Sequence, residues 1–153
     1  MTSRNTAVTD RMGNKTTYEY DSLGRVTKVN SLNSNSSVEY AYNTLDNMTE
    51  IVRGDGMKYV LGYDYYGNLQ SIGIDGKSDK LIKYTYRDKN GRLKKITYAN
   101  GDYIRLGYDR LGNMSFEKWF DAEDNPTHEY VYVYSCDGHI VKTIDKTGLK
   151  EYN

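Results

Sequence analysis

Cys136 and His139 stand three residues apart, a separation at which a thiol nucleophile and its base could meet. Such catalysis needs a third, orienting group, and none accompanies them; the histidine occupies a place where similar stretches of the chain carry Asn or Arg. Asp21, Asp64 and Asp109 recur in similar surroundings and could supply paired carboxylates for acid–base work. Each is followed three residues later by glycine, so turn formation explains them first, the short side chain bonding the turn's own amides. Asp121-Ala122-Glu123-Asp124-Asn125 offers hard oxygens to calcium but lacks the glycine and distal glutamate of an EF-hand loop. It reads as a solvated acidic loop. Two histidines 11 residues apart and a single cysteine do not compose a structural zinc site.

Shorter motifs fare no better. Arg53-Gly54-Asp55 spells an adhesion tripeptide, yet Asp55-Gly56 is already a hairpin signal. Asn14-Lys15-Thr16, Asn35-Ser36-Ser37, Asn47-Met48-Thr49 and Asn113-Met114-Ser115 match the glycosylation sequon, two of them as by-products of a recurring phrase. Gly54-Asp55-Gly56 is not followed by a helix signal, which excludes a phosphate loop. The expectation is therefore a chain without catalytic residues, cofactor or metal.

The elements that would position all of these residues are repeats. Tyr18/Tyr20, Tyr40/Tyr42, Leu61/Tyr63, Tyr84/Tyr86, Leu106/Tyr108 and Tyr132/Tyr134 each form a pair at spacing two that runs into a polar turn. The turn position recurs at 24, 46, 67, 91, 112 and 138, in steps of 21 to 26 residues. A period in this range marks an architecture whose units bury apolar surface only by stacking on their neighbours. Spacing two places each pair on one face of a strand. After the turn, apolar residues follow at spacing three: Val26/Val29, Met48/Ile51, Leu69/Ile72 and Leu93/Ile96, with Ile140/Ile144 in the corresponding place of the last copy. That spacing is wrong for a flat strand and predicts a bulge. Asp55-Gly56, Asn100-Gly101 and Thr147-Gly148 supply second turns, and Asp75-Gly76 leads into a longer polar loop. Asn30–Ser37 and Asp121–His128 read as extended surface loops. The fold predicted is all-β: antiparallel β-hairpins in one up-and-down meander, at least ten strands in a continuous twisted sheet.

Composition agrees with this. Only 37% of the chain is hydrophobic, and 17 tyrosines against two phenylalanines suit a half-buried sheet surface with wet hydroxyls. Charge is balanced, 21 basic against 21 acidic residues, which argues against nucleic acid as a partner and leaves self-association open. One cysteine rules out an intramolecular disulfide. No stretch reaches membrane-spanning length, and residues 1–6 do not read as a signal peptide. Both ends resemble partial units, so edge strands are expected to be open to pairing.

The unit Tyr-x-Tyr-Asp-x-x-Gly-Arg-Val-Thr, as in Tyr18–Thr27, resembles the tyrosine-aspartate (YD) repeat of RHS proteins, and the resemblance runs from about Val8 to Tyr152. Some copies depart from it: Asp46 stands for the turn glycine, and Asn43, Arg87 and Ser135 for the aspartate. The resemblance implies a spiralling sheet of hairpins, a single YD-repeat array over residues 1–153 with partial units at both ends. It also implies a place in a larger secreted or surface protein, where the sheet forms part of a shell around a toxin or cargo domain, or an adhesion module. The rest of that shell and the enclosed domain are the partners it implies. No Asp-Pro-x-Gly junction of the self-cleaving kind occurs here.

What remains is the tyrosine array itself: Tyr18, Tyr20, Tyr40, Tyr42, Tyr63, Tyr84, Tyr86, Tyr108, Tyr132 and Tyr134. Such rings pack between hairpins, the larger gain open to so polar a chain. The alternative is a glycan- or partner-binding surface, with rings stacking on sugar faces.

Overall fold

Alternation of aromatic or β-branched residues with polar ones favours strands, and glycine or a short polar residue every ten or so positions ends them. In the structure, a computed structural model describing residues 4–32, 36–86, 91–145 and 147–152, this produces only strands and turns, with no helix among the described residues. Two compact units result, Met1–Asp79 and Lys80–Asn153. The first holds β1 (Arg4–Thr9), β2 (Lys15–Tyr20), β3 (Val26–Ser31), β4 (Ser36–Tyr42), β5 (Met48–Arg53), β6 (Lys58–Tyr63) and β7 (Leu69–Ile74). The second holds β8 (Lys80–Tyr86), β9 (Leu93–Tyr98), β10 (Tyr103–Tyr108), β11 (Met114–Phe120), β12 (Pro126–Tyr134), β13 (Ile140–Asp145) and β14 (Gly148–Glu151). Within each unit every strand is antiparallel to its sequence neighbours, the all-β meander that the spacing predicts.

One irregularity recurs. Pairing steps from Glu19↔Lys28 to Tyr20↔Val26, leaving Thr27 as an extra residue. The same shift leaves out Thr49 and Gln70 in the first unit and Lys94, Ser115 and Val141 in the second. This bulge turns a spacing of three into a shared face, so Val26 and Val29 both lie on the side of Tyr18 and Tyr20. Ile140/Ile144 does not follow. Ile140 pairs with Tyr134 but Ile144 with Val131, which places Ile144 on the opposite face.

Two predicted loops need correction. Asn30 and Ser31 end β3, and Ser36 and Ser37 open β4, paired as Asn30↔Ser37 and Ser31↔Ser36. Residues 33–35 of that stretch lie outside the described residues, as does the fourth turn at 87–90. Asp121–His128 is a tight turn followed at once by β12, with a bulge at Thr127. Side-chain polarity reported solvent contact in both places. Main-chain pairing is indifferent to it.

The strands form one 14-stranded sheet in sequence order, as the spacing predicts, and it is thin. Only Tyr103 and Ile104, 4% and 5% exposed, are buried hydrophobics among the described residues. The other ring-bearing positions of the repeat are half-buried.

Candidate functional site

Register assigns the faces. In the first unit Tyr18, Tyr20, Val29, Val38, Tyr40, Tyr42, Ile51, Tyr59, Leu61 and Tyr63 share one side. Glu19, Lys28, Glu39, Glu50 and Lys58 share the other, with Lys28–Glu39 and Lys58–Glu50 ion pairs of 2.7 Å. In the second unit Tyr84, Tyr86, Ile96, Ile104, Leu106, Tyr108, Tyr130, Tyr132 and Tyr134 lie together.

The second tyrosine of a pair has a repeated task. Tyr42 donates its hydroxyl to the Val26 carbonyl at 2.8 Å, Tyr63 to that of Met48 at 2.7 Å, and Tyr108 to that of Leu93 at 2.8 Å. Each acceptor is the residue just before a bulge in the preceding hairpin, so the phenol ties one hairpin to the next. Tyr20 shares a hydrogen bond with Thr6 at 3.2 Å. Burial pushes the Tyr42, Tyr63 and Tyr132 phenols up from their ordinary value.

The turns consume the carboxylates. Asp64 accepts the amides of Tyr66 and Asn68 on one oxygen, both at 2.9 Å, and the Asn68 side-chain amide on the other at 3.0 Å. Asp21 does the same with Leu23 and Arg25, and Asp109 with Leu111 and Asn113. Asn43 accepts from Leu45 and Asn47 in its copy. The residue closing each turn is left-handed: Gly24, Gly67, Gly91, Gly112 and Gly138, with Asp46 at φ 63 where glycine is replaced. The Arg25 backbone amide and then its side chain hold Asp21 below its ordinary value; hydrogen bonds from Asn68 do so for Asp64.

Asp121 builds this same turn with Glu123 and Asn125, and Asp124 takes the glycine position at φ 69. By composition this stretch reads as a loop, yet it carries the turn's signal, an aspartate in the glycine place as at Asp46. Asp124 also accepts a hydrogen bond from the Tyr103 hydroxyl.

The remaining chemical candidates are drawn apart or spent. His139 is 81% exposed at its side chain and faces Asp137 at 3.6 Å, while the turn itself is closed by Ser135 and no hydrogen bond joins His139 to the exposed Cys136. Arg53 pairs with Asp55 of its own tripeptide at 3.0 Å, and the Gly54 amide is bound to the Ser37 carbonyl at 2.7 Å. The sequon amides of Asn14 and Asn113 donate to Asp10 and Asp109; Asn35 lies outside the described residues. No group of three or more His, Cys, Asp or Glu is placed to hold a metal among the described residues.

The hairpin ladder, with its tyrosine ties and aspartate turns, matches known protein families. The Teneurin YD-shell family model matches residues 5–74, and the RHS Repeat model matches residues 87–115. The chain belongs to the RHS/YD-repeat family. The tRNA nuclease WapA of Bacillus subtilis (strain 168) is 26% identical over 159 residues, covering 86% of this chain and 7% of that protein. The fold is also that of parts of two solved structures. The Photorhabdus luminescens Tc holotoxin pore superposes with a TM-score of 0.70 at 15% identity, over 87% of this chain and 8% of that one. The TcdB2-TccC3 crystal structure gives 0.72 at 14% identity, over 86% and 8%. This YD-repeat chain thus spans under a tenth of the length of these relatives.

Proposed function

We propose that residues 1–153 act as one non-enzymatic YD-repeat array, a segment of the wall of a larger shell that encloses a toxin or other cargo domain of an exported or surface protein. One observation carries this reading: the polar groups that recur from copy to copy are already occupied in holding hairpins together. The hydroxyls of Tyr42, Tyr63 and Tyr108 bond main-chain carbonyls, and the carboxylates of Asp21, Asp64 and Asp109 bond their own turns. Groups so engaged are structural, and rings packed between hairpins supply the burial that each unit lacks alone. The tyrosine positions named above are accordingly a packing face, and likeness to a segment of a Tc holotoxin pore supports the reading of the whole array as shell wall.

The test is made in the full-length parent. Deleting the hairpin β4–β5 keeps the strand alternation but shortens the wall, and limited proteolysis then follows the enclosed domain. Faster cleavage of that domain than in the intact protein supports the shell reading. Unchanged cleavage, or specific retention of a soluble glycan by the intact chain that Tyr40→Ala abolishes, would replace it with a binding module.

A further inference from the structure

On the face opposite the tyrosines, the second unit sets Lys95, Arg105 and Lys118 directly opposite one another on β9, β10 and β11. Like charges in directly opposed sheet positions repel. The first unit shows the ordinary solution, a row in which Glu19, Lys28 and Glu39 alternate in sign. In the second unit only Glu129 closes the row, and it takes Lys118 at 2.6 Å. Lys95 and Arg105 have no carboxylate partner among the described residues. Both lie instead on the ring of Tyr103, 3.7 and 5.2 Å from its centroid, and Tyr103 stacks on Phe120 at 4.8 Å. Arg105 also sits 5.1 Å from the Phe120 ring. A buried aromatic plate thus holds two cations in place without neutralising them.

Next to this row the face turns aliphatic. Val131, Ile144 and Leu149 are register partners across β12, β13 and β14, with Ile144 41% and Leu149 53% exposed. An open hollow of about 540 Å³ between Arg105, Phe116, Lys118, Phe120 and Val131 joins the charged and aliphatic parts.

We infer that this face docks an acidic, amphipathic polypeptide segment, with carboxylates on Lys95 and Arg105 and apolar side chains on Val131, Ile144 and Leu149. Charge complementarity calls for an anion, and the aliphatic strip selects among anions. A nucleic acid or sulfated glycan would answer the cations but leave the strip uncovered and run its charge against Glu129. The inference stands independently of the shell reading.

The experiment uses the whole 153-residue chain and a fluorescently labelled peptide with glutamates in one half and valines in the other, followed by anisotropy at two salt concentrations. The peptide binds, less tightly at high salt, and Lys28→Gln in the first unit leaves the affinity unchanged. Arg105→Glu weakens binding by about tenfold or more, the scale of one lost charged contact. The same substitution puts a carboxylate between Lys95 and Lys118, so its denaturant midpoint rises while binding falls. A merely misfolded variant would lose both. Equal binding by wild type and Arg105→Glu overturns the inference, as does a peptide in which lysine replaces glutamate binding equally well, or oligothymidylate binding more tightly than the acidic peptide.

Discussion

The ring of Phe116 lies over Gly107, its direct cross-strand partner, so that a methyl carbon on that glycine would come within 2.0 to 2.5 Å of three ring carbons. Gly62 holds the same place in its repeat, but a methyl group there would meet only the Ser71 hydroxyl at 2.7 Å, the end of a side chain that can rotate away. Gly107→Ala should therefore cost about 1–3 kcal/mol, in the range of overpacking, and Gly62→Ala clearly less. Urea titration of the two variants checks the order. Equal losses would mean that the glycines serve backbone freedom alone.

Tyr42→Phe removes the hydroxyl bound to the Val26 carbonyl and keeps the ring. A loss of about 0.5–1.5 kcal/mol is expected, the net worth of a typical hydrogen bond. Tyr18 belongs to the same face but its hydroxyl has no protein partner among the described residues, so Tyr18→Phe should be close to neutral. Thermal or chemical denaturation of the pair distinguishes tie from filler.

Acid should loosen the turns. The Asp10, Asp21, Asp64 and Asp121 carboxylates are held below their ordinary value, chiefly by hydrogen bonds from Asn14, Arg25, Asn68 and Asn125. The unfolded chain then binds more protons than the folded one at acid pH, so stability rises with pH through that range. The contribution is present above the ordinary carboxylate value near 3.8 and is lost as pH falls through the lower folded values. Unfolding followed from pH 7 to pH 2 tests the sign. Asp64→Asn should keep the turn, as Asn43 does in its own copy, and flatten the acid limb.

β1 pairs with β2 along one side, and from Asn5 to Thr9 it carries no charge and no proline to discourage further pairing. Taken alone, the 153-residue chain is expected to self-associate through this strand, and Ala7→Lys to reduce it. Sedimentation over a concentration range gives the answer; a wild-type chain that stays monomeric throughout would rule it out.

Much of the fold was legible because the repeat states each element several times. The spacing of Val26 and Val29 foretold the bulge, and the glycines at 24, 67 and 112 foretold left-handed turns. Legibility failed where composition stood in for pairing: Asn30 to Ser37 looked like a loop although strands need no apolar side chain to bond their backbones. It failed again at Asp121, where aspartate in the glycine position hid a turn built like the others. The row Lys95, Arg105 and Lys118 could not be read at all. Those residues are 10 and 13 positions apart, and only the register of three strands, with a bulge at Ser115 in it, brings them into line.

The tyrosine ties end on main-chain carbonyls, and the residues supplying those carbonyls are Val26, Met48 and Leu93, three different side chains. A contact that reads only the backbone does not care what its neighbour becomes. Each hairpin can therefore drift, be duplicated or be exchanged without a matching change next door. Such freedom accords with the fold's tolerance of divergence: chains only 15% and 14% identical to this one superpose on it with TM-scores of 0.70 and 0.72.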